Sequence, residues 1–435
     1  MSRETILSCA RGAHVVLRKC NSALVHPTLG VLILPSVISF SRMLSRLAIG
    51  LDKKPELIAH LVRGSSSDDG AKETLPERAA NIVRQAFVTC LNDRASGVKD
   101  GKPEGKKIGI YKAANLVLKI LFQCRKTRNA EQIFVNIDNQ SPPLAIYPRA
   151  ERVTYLYYLG RYLFSVNHFY RAKQALQEAH SNCRNSCLQQ KRLILVYLIA
   201  SNIILGRFPS TSLYQRPEAV GLADIFHPIC KSMASGDLVT FRNLLSYEAP
   251  YASWLLKFRI LLPLRTRGEV LVWRSLIRKT FLINGSHGDT TSKRAPTVAL
   301  QDVLILYRAL EHRVDNRSAS NYIDADLDGV TDDNATPRES DMLQMESIFS
   351  SLVEQGLLNG YISHRQLRFA IQGAKQKGGP LIAGFPVPYK VISSNCDDHV
   401  PGWKQQAARA GAGQSRFGPG MVVNLSGARP AGSGG

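Results

Sequence analysis

Chemistry needs a few residue types at a few spacings, and five places in this 435-residue sequence offer them. Asp324, Asp326 and Asp328 alternate and are followed by Gly329. A calcium loop opens this way, because alternate oxygens wrap the ion and the glycine allows the sharp turn. The twelfth position holds Ala335 where a bidentate glutamate is needed, so a solvated acidic insertion is the competing reading. His180, Cys183 and Cys187 fall on one helical face and could supply three metal ligands. A structural zinc site needs a fourth ligand and usually a second close pair. Neither is visible, and thiols packed inside a helix hairpin compete. The segment GKPEGKKIG (101–109) has the composition of a phosphate loop. It lacks the spacing, the Ser/Thr after the lysine and the preceding strand. It is expected to be a flexible basic loop.

The two remaining places are cationic. Residues 257–294 hold nine Lys/Arg against two acids, and residues 365–390 hold five and none. If 264–283 is one helix, Arg267, Arg274 and Arg278 lie at i, i+7 and i+11, a narrow stripe on an apolar rod. Arg365, Arg368, Lys375 and Lys377 belong on a short hairpin and the loop after it. Such positions contact phosphates, which orient a protein on nucleic acid without specifying sequence. The alternative is that these arginines pair with an acidic island at 311–341, which has nine Asp/Glu and three Arg, or are solvated. The sequence contains no HExxH, no GxSxG and no HxH among its ten histidines. With no carboxylates paired on an apolar helix either, it predicts a protein that is not an enzyme and holds no cofactor or metal.

The elements that must position these groups are helical. TLPERAANIVRQAFVTCLNDRA places Ala79, Ile82, Ala86 and Cys90 on one face, and IYKAANLVLKILFQCRKTRN is a second strong helix. Residues 155–184 carry the small/large spacing of a tetratricopeptide-type hairpin. Gly160 and Ala172 let two antiparallel helices approach, while Leu163, Phe169 and Leu176 fill the groove between them. The next helix, LQQKRLILVYLIASNIILG, is apolar nearly all round and so buried. Further helices are expected at about 218–235, 237–247, 251–262 and 264–283, and no strand-like alternation occurs between 70 and 310. After a helix over APTVALQDVLILYRALEH and the acidic island, SDMLQMESIFSSLVEQGLLNGYISH predicts another helix, and YISHRQLRFAI a short strand pair. The fold class is mainly α: a TPR-like solenoid of helix hairpins capped by a C-terminal winged helix.

Charge and composition bound the rest. Lys+Arg number 56 against 34 Asp+Glu, a net +22, which favours polyanionic partners and says nothing about fold. Eight cysteines without a paired rhythm suit reduced thiols in an intracellular compartment. Residues 20–41 lack any Lys, Arg, Asp or Glu, and the six flanking cations from Arg3 to Arg46 face only Glu4. A membrane span, an Arg-rich transit peptide, a poorly ordered extension and an ordinary buried helix all remain open for this segment. The rest has the character of a soluble protein, and no membrane partner is expected. The expected units are an N-terminal extension (1–43), a helical-repeat region (44–206), a helical and winged-helix unit (207–395) containing the 311–341 insertion, and a flexible Gly/Ala-rich tail (396–435).

Four strings carry a resemblance: VTYLYYLGRYLFSVNHFYRAKQALQEAH, RLILVYLIASNIILGRFPS, KFRILLPLRTRGEVLVWRSLIRKTFLI and MESIFSSLVEQGLLNGYISH. They are similar to a PCI-domain family that includes the fungal-type twelfth subunit associated with the COP-nine signalosome and the PCI subunit of the TREX-two mRNA-export complex. The resemblance covers about residues 44–400 and is most specific over 130–283. The first 41 residues and the region around 320–340 depart from it, which leaves a divergent extension or a mis-assigned start open. Family membership implies a solenoid and winged helix that assembles through its PCI domain, with Arg274 and Lys279 where basic residues are usual. Implied partners are a larger PCI protein of the Sac-three/GANP type, a small acidic protein shared with the proteasome lid, and RNA or DNA on a basic surface. Implied work is nuclear, in transcription elongation, mRNA processing or export, with the cytoplasm as a second compartment. The other reading is a purely protein-bridging subunit of the signalosome, acting in cullin deneddylation without nucleic acid.

Overall fold

The computed structural model describes residues 3–53, 74–94, 97–288, 294–318 and 339–395. The aspartate loop 324–329, most of the acidic island and the tail from 396 lie outside them. Helices α1 (Arg3–Leu24) and α2 (Gly30–Asp52) form a hairpin, followed by α3 (Leu75–Asn92). Thr74 opens α3 with a capping box: its backbone N–H and its hydroxyl both donate to Glu77 Oε2, at 2.7 and 3.0 Å. That reciprocal cap satisfies donors that the first turn leaves unpaired.

The expected 43/44 boundary falls inside α2. Leu34, Val37, Ile38, Leu44 and Ala48 of that helix join Ala13 and Leu17 of α1 in the same core as α3. The buried-helix reading therefore accounts for one side of α2, while Leu32, Ser36, Ser39 and Met43 stay outside.

The basic loop also differs from expectation. It is a small hairpin, β1 (Val98–Lys99) on β2 (Lys102–Pro103), followed by a 3-10 turn over Gly105–Gly109. Lys106 is 2% exposed and ion-paired with Asp93 at 3.8 Å, and Lys107 Nζ donates to the Leu91 carbonyl at 2.6 Å. Lysines that cap a neighbouring helix end and meet a carboxylate hold the loop in place.

The array continues through α4 (Ile110–Gln123), α5 (Arg128–Gln140), α6 (Arg149–Ser165), α7 (Phe169–Asn182) and α8 (Leu188–Ile204). The α6–α7 hairpin matches its sequence pattern. A Cβ added at Gly160 would lie 2.5 Å from Leu176 Cγ, so only glycine permits this approach. Short helices α9 (Thr211–Tyr214), α10 (Leu222–Ser235), α11 (Leu238–Leu244) and α12 (Ala252–Lys257) lead to the 24-residue α13 (Leu261–Asn284). The core passes from α8 into α10 and α13 without a break at the expected 206/207 boundary.

The described residues close with β3 (Thr297–Ala299), α14 (Leu300–Ser318), α15 (Glu339–Glu354), β4 (Gly360–Ser363), β5 (Arg368–Ile371), α16 (Pro380–Gly384) and α17 (Pro388–Ser394). Strand order is β3-β5-β4, antiparallel throughout, with Val298 opposite Phe369 and Ile362 opposite the same residue. This is the winged helix, and the acidic island begins in the last turns of α14 and ends in the first turn of α15. Strand β3 corrects the expectation of helix from 295 onward. Three residues cannot display a period of two, so the strand is specified by pairing with β5, about seventy residues away.

Candidate nucleic-acid interface

Helix α13 is the axis of the candidate site. Its inward residues, among them Leu264, Leu271, Val272, Leu276, Ile277 and Phe281, are buried, which leaves its basic residues on the opposite side. The expected stripe of Arg267, Arg274 and Arg278 does not survive as one surface. The strand-like segment before α17, and α17 itself, lie across it.

Arg274 is the residue beneath this strap. Its Nη2 donates to the carbonyls of Phe385 and Pro386 at 2.9 and 2.7 Å, and its Nε donates to the Leu357 carbonyl at 3.3 Å. Burial, with Arg278 nearby, lowers its pKa to about 10. It remains charged at neutral pH, and three backbone carbonyls of the winged-helix end accept from its Nε and Nη2. Arg274 is therefore a clamp between α13 and the strap, its guanidinium turned to backbone carbonyls where a phosphate contact was expected. A second set of cations holds the strap from the repeat side. Arg207 stacks on the Tyr389 ring, 3.7 Å from its centroid, and Lys173 Nζ donates to the Tyr389 hydroxyl at 3.2 Å.

On one side of the strap lies a groove of about 610 Å³. Arg278, Lys279 and Lys390 are exposed along it, and its apolar lining includes Leu282 (46% exposed), Ile382 (67%) and Val387 (53%). No carboxylate lines it among the described residues. On the other side is a cleft of about 580 Å³ to which Arg267 contributes, beside Arg171, His168 and Gln355. Arg267 is thus separated from Arg278 and Lys279.

Arg365 stands in the turn between β4 and β5, Arg368 begins β5, and Lys375 and Lys377 follow it; all four are exposed. The wing tip is tied to α15 by His364 Nδ1 and Glu346 Oε2, 2.8 Å apart. Lys390 and the apolar wall were not singled out from the sequence. The two prolines of GFPVPYK were the available signal, since they mark an extended segment followed by a helix start.

The remaining sequence candidate, His180, faces Glu218 at 3.5 Å, and Lys191 Nζ lies 3.4 Å from the same oxygen. Burial, then Lys191, lowers the His180 pKa. Cys183 is buried and Cys187 exposed, and no group of three His, Cys, Asp or Glu poised for a metal occurs among the described residues. These groups form a buried polar contact between α7, α8 and the turn at Glu218.

A helical-repeat array closed by a winged helix, with a basic groove where the two meet, defines the class: a mainly-α scaffold. Comparison with known proteins narrows it. No family model matches the chain. It is 29% identical over 293 residues to a PCI domain-containing protein of Schizosaccharomyces pombe, covering 67% of this chain and 58% of that one. Against PCI domain-containing protein 2 of Danio rerio it is 24% identical over 309 residues, 71% of this chain and 65% of the other. A CSN12 homolog of Neurospora crassa is 30% identical over 213 residues, 48% and 45% of the two chains. The chain thus spans under two thirds of the length of these relatives. Its likeness is thus to PCI domain-containing proteins and fungal CSN12 homologs, the family its sequence motifs resemble.

Proposed function

We propose that this protein is a non-enzymatic scaffold subunit of a nuclear assembly, and that it contributes to holding RNA or DNA. The observation that carries the reading is the groove beside the strap, free of carboxylates among the described residues, with Arg278, Lys279 and Lys390 exposed along it. Cations without nearby acids attract phosphates at long range and release counterions on contact. The exposed wing cations Arg365, Arg368, Lys375 and Lys377 extend the same chemistry. Strand β4 pairs on one side only among the described residues, and an open sheet edge suits docking against a second PCI subunit. Such a subunit would be the larger Sac-three/GANP-type protein. The relatives named CSN12 homolog support assembly into a multi-protein PCI complex.

A second reading is favoured by one feature. Leu282, Ile382 and Val387 give the groove an apolar wall that a phosphate backbone does not use. An acidic protein segment with apolar anchors would use both, as would the small acidic protein shared with the proteasome lid. This is the signalosome-bridging alternative.

The test is Arg278→Glu with Lys279→Glu and Lys390→Glu, leaving Arg274 in place. For RNA or duplex DNA, the slope of log affinity against log salt should fall by roughly 0.7–0.9 for each phosphate that is no longer neutralised. An unchanged slope, with an unchanged melting curve, rejects nucleic-acid binding by the groove. Release of an acidic protein partner by the same variant would then assign the groove to protein bridging.

A further inference from the structure

At the opposite end of the array the first hairpin ends in a loop that is exposed along its whole length, from Val25 to Leu29. Val25 is 63% exposed, Leu29 62% and Leu32, in the first turn of α2, 77%. Leu29 and Leu32 line a shallow depression with Ala23, His26, Ile33 and Ser36. Three large apolar side chains standing out on one loop end are unusual for a surface that faces only water.

The charge on the two helices of the hairpin is one-sided. Residues 5–51 contain five Lys/Arg and no Asp or Glu. Arg18 and Lys19 are exposed on α1, six and five residues before its last residue, Leu24. At 1.5 Å per residue that sets them about 8–9 Å back from the tip. The 3-10 turn over Gly105–Gly109 packs against the same end: the space in front of Gly30 is closed by the Leu24 carbonyl and by Lys106. This turn adds exposed Ile108, and the β1–β2 hairpin attached to it adds exposed Val98, with Lys99 and Lys102. Two acids, Asp100 and Glu104, are exposed on it as well.

We infer that this end of the molecule is a docking surface for an anionic lipid bilayer. The hairpin tip enters the boundary between headgroups and acyl chains, and Arg18, Lys19, Lys99 and Lys102 meet the phosphates. Amphipathic elements that lie on membranes bury their apolar face about 5–10 Å deep, and the set-back of Arg18 and Lys19 matches that depth. The apolar side chains stand out beside only a shallow depression, which suits a deformable bilayer better than a protein ridge. A second copy of the chain would bring two cation-rich faces together, which like-charge repulsion opposes. Insertion of Val25, Leu29 and Leu32 with a few cations is the two-signal arrangement that gives reversible attachment. It is distinct from a span: the inward face of α2, with Leu34, Val37 and Ile38, stays in the protein core.

The experiment uses the full chain and two vesicle preparations, pure phosphatidylcholine and phosphatidylcholine with about 30% phosphatidylserine, in a sedimentation assay at physiological salt. The wild-type protein should partition onto the anionic vesicles. Leu29→Asp with Leu32→Asp should lower that partition at least about tenfold, because both side chains leave water only in the bound state. These positions are exposed, so the melting curve should not move. Reversal of Arg278 and Lys279 to Glu should leave partition within about twofold, since those residues lie on the far winged-helix groove. No binding by the wild type overturns the proposal. Equal binding by the aspartate variant overturns it too, because general cationic charge would then suffice. So does a wild-type dimer or acidic-protein complex in solution that the aspartate variant dissociates, for then protein covers this face.

Discussion

The α6–α7 hairpin and the winged-helix end solve one problem, holding two elements together, by opposite means. In the hairpin the partners are neighbours in sequence, and contact is apolar: Gly160 receives Leu176 sixteen residues later. At the winged-helix end the partners are remote and the joint is polar. Arg274 reaches Leu357, Phe385 and Pro386, 83 to 112 residues away, through charge-assisted hydrogen bonds. Local apolar packing is legible from periodicity and robust to solvent. A remote cation clamp is invisible to periodicity and depends on each donor finding its acceptor.

Four measurements would break or sharpen this contrast. The largest effect belongs to Gly160→Leu, which forces a side chain into space already held by Leu176. It should destabilise the whole chain by about 3 kcal/mol in denaturant unfolding, at the upper end for overpacking. A change under about 1 kcal/mol would mean that the hairpin relaxes freely. Next, Arg274→Met removes the donors of three carbonyls and should cost about 2–3 kcal/mol. The effect should be local, with protease cleavage appearing at 385–395 before the repeat region unfolds. Simultaneous global unfolding would show the two ends to be one cooperative unit.

Tyr389→Leu is smaller. It removes the Arg207 stacking and the Lys173 hydrogen bond, for about 1 kcal/mol, and a double-mutant cycle with Arg207→Met should show coupling of similar size. The smallest is Glu77→Gln at the α3 cap, about 0.5–1 kcal/mol. The Thr74 backbone N–H, above all, and also Lys126 at 3.0 Å hold the Glu77 carboxyl below its usual range. A depressed carboxylate contributes stability that is present above its unfolded value, near 4.5, and is lost as pH falls through the folded one. The variant should lack that acid-side component. Identical acid limbs for the two proteins would show that the cap carries none of it.

Much of the fold was legible because helical structure is local. The spacing of Ala79, Ile82, Ala86 and Cys90 located the α3 face, and the apolar run from Ile194 to Ala200 marked α8 as buried. The candidate site was legible in part. Arg278, Lys279, Arg365, Arg368, Lys375 and Lys377 are exposed as their charge suggested. Arg274 looks the same in sequence and is a half-buried clamp, because nothing near it in the chain reports that a strap 111 residues later will cross it. Lys390 joins the groove for the same reason.

By itself the amino-acid order determined the helical class, the position of the tight α6–α7 hairpin, the resemblance to PCI proteins and the segregation of charge. Each of these depends on residues within a few turns of one another, where periodicity and composition act directly. Only the tertiary structure decided that β3 completes the wing, that α1 and α2 share the core, that Lys106 is internal and that Arg267 and Arg278 occupy separate clefts. Those outcomes depend on which distant segments meet, and the free energy of such meetings resides in contacts that no local window of sequence contains.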